Sequence, residues 1–250
     1  MNKKGTIIHY IAFGLLIGIG VFLFATEEIT GLAPDIKGQW QVDFLKDNFL
    51  EAEKEMLRTD VIVRNIGREV ALDLAEKGGL KTFSCGKLKG VNYWNKGKTW
   101  CFTNEAVKKM VPELVSNELN KKITEHQFTN ISFNGPYLTG KGIKKTIATE
   151  NAKYFYDDSF AVNLGYSFEE YAQLELDAHK LVDLCNNQEE LKSCLDRIKL
   201  SYWKYGSCDK EEFTLSGTGV PFCVVSPGLA YLGQGQDQKM TNYQLVLDFS

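Results

Sequence analysis

From Trp40 to Lys77 the apolar residues Leu45, Phe49, Ala52, Met56, Val63, Ile66, Val70 and Leu74 recur mostly three or four positions apart. That spacing gathers them on one stripe and predicts a single amphipathic helix, ended by Gly78-Gly79, with Glu51, Glu55, Arg58, Arg64, Arg68 and Asp73 on its solvated side. A rod of this length covers about 55 Å, and Gly67 predicts a bend in it. Asn104 is read as the cap of a second helix reaching about Glu125, kinked or split by Pro112. Between Gln127 and Gly165 the period shortens: "FTNISF", "YLTG", "KKTIAT" and "KYFYDDSFAVNL" alternate partially and are broken by Asn134-Gly135-Pro136 and Gly140-Lys141-Gly142, which predicts three or four antiparallel strands. Ser167 and Glu170 form a capping-box signature before a helix carrying Phe168, Tyr171, Leu174, Ala178, Leu181 and Cys185 on one face. Asn186-Asn187 turns the chain into a shorter helix with Leu191, Cys194, Leu195 and Ile198 inward, and "FTLSGTG", "PFCVVSPG" and "YQLVLDF" read as further strands.

The opening is different in kind. From Ile7 to Ala25 there is no Asp, Glu, Lys or Arg, and a helix of that length covers about 30 Å, the hydrocarbon thickness of a bilayer. A signal peptide has a shorter apolar region and small residues at its cleavage site, features missing here, so an uncleaved signal anchor is expected. Lys3 and Lys4 precede the run and Glu27 and Glu28 follow it, which keeps the N-terminus in the cytoplasm and exports the rest. The expected layout is a cytoplasmic stub over residues 1–5, a transmembrane helix over 6–26, a tether over 27–38 containing Pro34, and an extracytoplasmic α+β domain over 39–250. Gly14 and Gly18 form a G-x-x-x-G spacing that would let a second membrane helix approach, giving a homo-oligomer through that face.

Lys3-Lys4-Gly5 before an apolar helix resembles the class III leader of archaeal type IV pilin-like proteins, which implies cleavage after Gly5 and a filament subunit. The chain departs from that pattern in having no Glu at Ile8, His9 or Tyr10. The lysine-preceded anchor, "KGQWQVDFLK" and "NLGYSFEEY" together resemble uncharacterised single-anchor, disulfide-bearing surface proteins of small-genome archaea. That resemblance implies a surface setting and no activity.

Composition is globular, 44% hydrophobic and 24% charged. With Lys3 and Lys4 set aside, 27 basic residues face 32 acidic ones, a mildly acidic balance that argues against nucleic-acid binding. All six cysteines follow the apolar run. An even number outside the cytoplasm predicts disulfides, and separations of 16, 9 and 15 favour Cys85–Cys101, Cys185–Cys194 and Cys208–Cys223. Each would add on the order of 3 kcal/mol by restricting the unfolded chain. Zinc is the competing reading, but neither C-x2-C nor H-x3-H occurs, so no metal or other cofactor is expected.

The stretch between Cys85 and Cys101 interleaves Lys87, Lys89, Lys96 and Lys98 with Tyr93, Trp94 and Trp100 and contains no acid. Such a loop can hold an anionic or glycan-like partner, the lysines by charge and the rings by stacking. Alternatively its tryptophans face inward and its lysines solubilise it, or the tryptophans reach a membrane interface. Asn130-Ile131-Ser132 makes Asn130 a glycosylation candidate. For catalysis the chain offers little: His126 and His179 have no convincing company, Asp157-Asp158 reads as a turn, and no G-x-S-x-G, H-E-x-x-H or phosphate-loop motif is present. The expected function is a non-enzymatic surface-interaction or envelope-organising domain, with the lipid bilayer and another envelope protein or an anionic surface component as partners. A pilin-like subunit and an envelope hydrolase with dispersed acids are the alternatives.

Overall fold

The structure is a computed structural model that describes residues 14–19, 38–80, 85–123, 128–149, 152–186, 191–198, 200, 202–206, 208, 218–226, 228–229, 232 and 241–250. The chain divides into two units, Met1–Glu51 and Ala52–Ser250, and the division falls inside the first long helix.

In the first unit, residues 14–19 form an exposed helical piece, with open space around Gly14 and Gly18 where a Cβ would stand. The expected membrane helix over residues 6–26 is corrected here. No helix among the described residues is long and apolar enough to cross a membrane, and the remainder of that stretch, like the stub and nearly all of the tether, lies outside the described residues. The longest described helix, α1 (Gln39–Glu76), is 38 residues, but charged side chains are distributed along it, which suits a water-facing surface rather than lipid. Within the first unit its apolar positions are not covered: Val42, Leu45 and Phe49 are 58%, 54% and 50% exposed. The predicted buried stripe starts only at Ala52.

In the second unit that stripe is filled. Ala52, Val63, Ile66, Val70 and Leu74 are all buried. Gly67 does not interrupt α1; its role is close approach, since a Cβ there would stand 2.7 Å from Leu164 Cδ2 and 3.2 Å from Leu138 Cδ2. Gly78 and Gly79 end the helix as expected, at φ of 78° and 79°, and the Gly79 N–H donates back to Leu74 O. The helix α2 (Asn104–Lys122) buries Val107, Val111, Val115 and Leu119. Its cap is Thr103, whose hydroxyl accepts the Ala106 N–H at 3.2 Å, so Asn104 is the first helical residue and not the cap. Pro112 neither splits it nor ends it: the buried valine and leucine face holds the helix against the lost backbone bond.

Five antiparallel strands, one more than the upper expectation, follow in two sheets. β5 (Thr129–Asn134), β6 (Tyr137–Lys141) and β9 (Phe160–Asn163) make one, and the hairpin of β7 (Lys144–Ala148) and β8 (Lys153–Asp157) makes the other. The helices α3 (Glu170–Cys185) and α4 (Leu191–Arg197) form the expected hairpin, stapled by Cys185–Cys194 with Cα atoms 5.7 Å apart. β10 (Trp203–Tyr205), β11 (Gly219–Val224) and β12 (Tyr243–Asp248) complete the unit as an antiparallel sheet in that order, with Cys208 joined to Cys223.

Between α1 and α2 the chain makes two miniature hairpins, β1 (Lys87–Leu88) with β2 (Val91–Asn92) and β3 (Asn95–Lys96) with β4 (Thr99–Trp100), closed by Cys85–Cys101. Pairs this short do not hold alone. They are sewn to β12 instead: the Trp94 N–H donates to Val246 O at 2.9 Å, the Asn95 amide donates to Asp248 O at 2.6 Å, and the Asn95 carbonyl accepts the Asp248 N–H at 2.9 Å. Asn95, fully buried, thus replaces a missing strand partner. Burial raises the Asp248 carboxyl, but hydrogen bonds from Thr218, from the Gly97 and Ser250 N–H groups and from the Ser250 hydroxyl outweigh it and hold the group below its usual range. The stability this adds is present above the ordinary carboxylate range and is lost as pH falls through the lowered value.

Replacing Asn95 with Ala leaves the Asp248 N–H and C=O buried without partners, so Asn95→Ala is expected to lower the unfolding free energy by about 2–3 kcal/mol in urea denaturation. A loss under about 0.5 kcal/mol would show that the hairpins do not depend on this side chain.

Candidate functional site

Glu170 opens α3. The sequence predicts that its carboxylate turns back to Ser167 as a capping box, and the structure corrects this: the Ser167 hydroxyl accepts the Glu169 N–H at 3.2 Å, while Glu170 points into the domain. There its Oε2 accepts the Ser226 hydroxyl at 2.5 Å and the Tyr243 hydroxyl at 3.0 Å. The Tyr166 hydroxyl lies 2.5 Å from that of Tyr243. Because the Tyr243 proton goes to the carboxylate, Tyr166 must donate to Tyr243. Ser226 in turn accepts the Leu229 N–H at 3.3 Å. The proton order is therefore fixed, from Tyr166 to Tyr243 to Glu170 on one side and from Leu229 to Ser226 to Glu170 on the other.

Tyr166, Tyr171, Tyr243 and Ser226 are all buried, and the Tyr171 ring meets Tyr243 edge-on at 5.0 Å. Burial pushes all three phenols well above their ordinary value, and the Glu170 charge pushes in the same direction; the Tyr243 hydrogen bond only partly opposes it at Tyr166. These hydroxyls stay neutral at any physiological pH, and those of Tyr166 and Tyr243 serve as fixed donors, not as proton exchangers. Ser226 gives its proton to Glu170 and one of its two lone pairs to the Leu229 N–H.

Glu170, Ser226 and Tyr243 of this network line a pocket of about 140 Å³. Leu174, Trp203, Val224 and Val225 supply apolar lining, and Tyr202, Gln173 and Asp177 complete it. Phe222 fixes the Trp203 ring by an edge contact at 5.4 Å. Gln173 Nε2 donates to Asp177 Oδ1 at 3.0 Å, and Lys180 Nζ approaches the same oxygen at 3.9 Å. Mostly apolar walls with a few placed polar groups suit binding of a small group.

The sequence-predicted binding loop lies elsewhere. Lys87, Lys89, Lys96 and Lys98 are exposed, but the rings turn inward. Trp94 is fully buried, stacked on Phe102 with centroids 3.7 Å apart, and its indole N–H donates to Gly78 O at 2.9 Å; that ring cannot stack on a ligand. Trp100 is half-buried against the His179 ring at 3.6 Å, and Tyr93 is half-buried beside β12, bridging Val246. The rings join this short segment to the core, Trp94 within it and Trp100 packed against it.

The remaining candidates separate. His126 lies outside the described residues. Asp157 is exposed and accepts the Ser159 hydroxyl at 2.8 Å, whereas its neighbour Asp158 is buried, accepting from Thr59 at 3.3 Å with Lys145 Nζ 3.3 Å away. Asn130 is exposed at the irregular start of β5 with φ of 52°. The zinc alternative for the cysteines does not arise, because every cysteine is in a disulfide. Among the described residues no group of three His, Cys, Asp or Glu side chains could hold a metal ion.

No protein-family model matches this chain, and neither a curated protein nor a solved structure does.

Phenols with values raised in the folded state stabilise it fully below about pH 10, and that stability is lost as pH rises and the unfolded phenols ionise. Urea denaturation across the alkaline range should show stability falling by about 1.4 kcal/mol per pH unit for each buried phenol, and Tyr166→Phe should remove one share of that slope. An unchanged slope in the variant would mean that Tyr166 ionises freely in the folded chain.

Proposed function

We propose that this chain is an exported, disulfide-braced binding domain that works at the outer face of the cell envelope, in surface interaction or envelope organisation, and performs no reaction of its own. The observation that carries this reading is the pairing of all six cysteines. Each bridge joins partners close in sequence, with Cα separations of 5.9, 5.7 and 5.1 Å, and together they brace the miniature hairpins, the α3–α4 pair and the edge of the C-terminal sheet. Bridges of this kind persist where the surroundings are oxidising. The non-enzymatic part is supported by the phenols of the network, which burial pushes away from the range where they could exchange protons near neutral pH. The exposed lysines 87, 89, 96 and 98 supply a face for an anionic or glycan surface component, without stacking by Trp94.

The test uses the native host. Intact cells are treated with a membrane-impermeant amine reagent and a thiol-blocking reagent, and the chain is then recovered for peptide mass spectrometry. The expected result is labelling of Lys87, Lys89, Lys96 and Lys98 before lysis and no blocked cysteine until reductant is added. Lysines labelled only after lysis, or cysteines blocked without reduction, would overturn the reading.

A further inference from the structure

The pocket that Glu170 helps to line has a charge balance that its shape alone does not require. Along α3, Glu170, Gln173, Leu174 and Asp177 succeed one another on the face that borders it, so a carboxylate stands near each end of that wall. Among the described residues lining the pocket there is no Lys, Arg or His. Facing this wall are the Tyr202 and Trp203 rings, whose electron-rich faces attract cations. We propose that the pocket binds a small alkylammonium group, its hydrocarbon body against Leu174, Trp203 and Val224 and its charge at Asp177.

Size and charge both select this chemistry. A space of about 140 Å³ takes a body of about six heavy atoms, close to the volume in which an engineered cavity of another protein admits benzene. An anion would be desolvated beside two carboxylates with no cation on the wall to meet it, and a neutral body would gain from the apolar walls but not from either acid. Between the two acids, Asp177 is the one free to serve. Glu170 Oε2 already takes two protons, and its Oε1 faces the Gly228 backbone, where an added Cβ would stand 3.1 Å away. Asp177 holds the Gln173 amide and a long 3.9 Å contact with Lys180, whose side chain is two-thirds exposed and competes weakly.

This assignment deepens the binding-domain reading and rests on it, yet it fails separately: export and cysteine pairing are read from labelled cells, ammonium binding from the purified oxidised chain. In the full chain labelled with ¹⁵N, the Trp203 indole signal, assigned with Trp203→Phe, is followed during titration with n-butylammonium and with 1-butanol, its neutral counterpart. The expected result is saturable millimolar binding of the ammonium, about fivefold or more tighter than the alcohol. Raising the salt to about 0.5 M should weaken the ammonium alone. Asp177→Asn, which keeps the acceptor for Gln173 and leaves the Glu170 network untouched, should weaken the ammonium about fivefold and leave the alcohol unchanged. Nα-acetyl-lysine amide separates the two sources of the group: affinity equal to n-butylammonium supports a partner's lysine side chain, and affinity tenfold lower supports a free amine. Equal binding of ammonium and alcohol, an unaltered Asp177→Asn titration, or no saturation with either probe would overturn the proposal.

Discussion

One carboxylate oxygen, Glu170 Oε2, receives the hydroxyl of Ser226 and the hydroxyl of Tyr243, and through Tyr243 it orders Tyr166 as well. Those side chains belong to the start of α3, the turn after β11, β12 and the segment that leads from β9 into α3. Tyr166 and Glu170 lie four residues apart, but their contacts to Ser226 and Tyr243 in the C-terminal part span 56, 73 and 77 positions. A half-buried carboxylate gains from having its lone pairs filled, and here two hydroxyl protons reach one of its oxygens. The same arrangement that settles the charge therefore fixes how the helix meets the C-terminal sheet. It also shapes the pocket, which Glu170, Ser226 and Tyr243 help to line.

The second organiser is β12. On one side it pairs with β11, and on the other it meets Trp94 and Asn95, which close a separation of 153 positions between the miniature hairpins and the C-terminal strand. This explains why a loop composed like a ligand-binding surface spends its aromatics internally. Trp94 fills the space beside Phe102 and Gly78, Trp100 covers His179, and the lysines are left at the surface. The pocket, in contrast, takes two of its aromatics from β10 and the residue before it, where three strand residues at the edge of a sheet leave Trp203 half open and Tyr202 exposed.

Local features were legible in the sequence. The period of α1, its glycine stop, the α3–α4 hairpin and the three cystines all follow from residues a few turns apart, and the structure has each of them. What escaped depends on distance or on small energies. Thr103 rather than Asn104 caps α2 because both residue types are good caps and one position separates them. Glu170 fits a capping box equally well by spacing, and only the approach of Ser226 and Tyr243 draws it inward. Asn95 carried no signal at all, since a lone asparagine between a tryptophan and a lysine reads as a turn. The apolar stripe of α1 was continuous in sequence, yet Leu45 and Phe49 stay about half exposed while Ala52 is fully buried, because periodicity says which residues share a face and not where a partner for that face begins.

That a single carboxylate couples these distant segments is most directly tested by a double-mutant cycle on Tyr166→Phe and Ser226→Ala, with unfolding free energies from chemical denaturation. The two side chains sit on opposite arms of the hydrogen-bond chain and communicate through Tyr243 and Glu170. A coupling energy of at least about 0.5 kcal/mol is predicted. Effects that simply add, to within about 0.3 kcal/mol, would contradict the account and reduce the network to independent contacts.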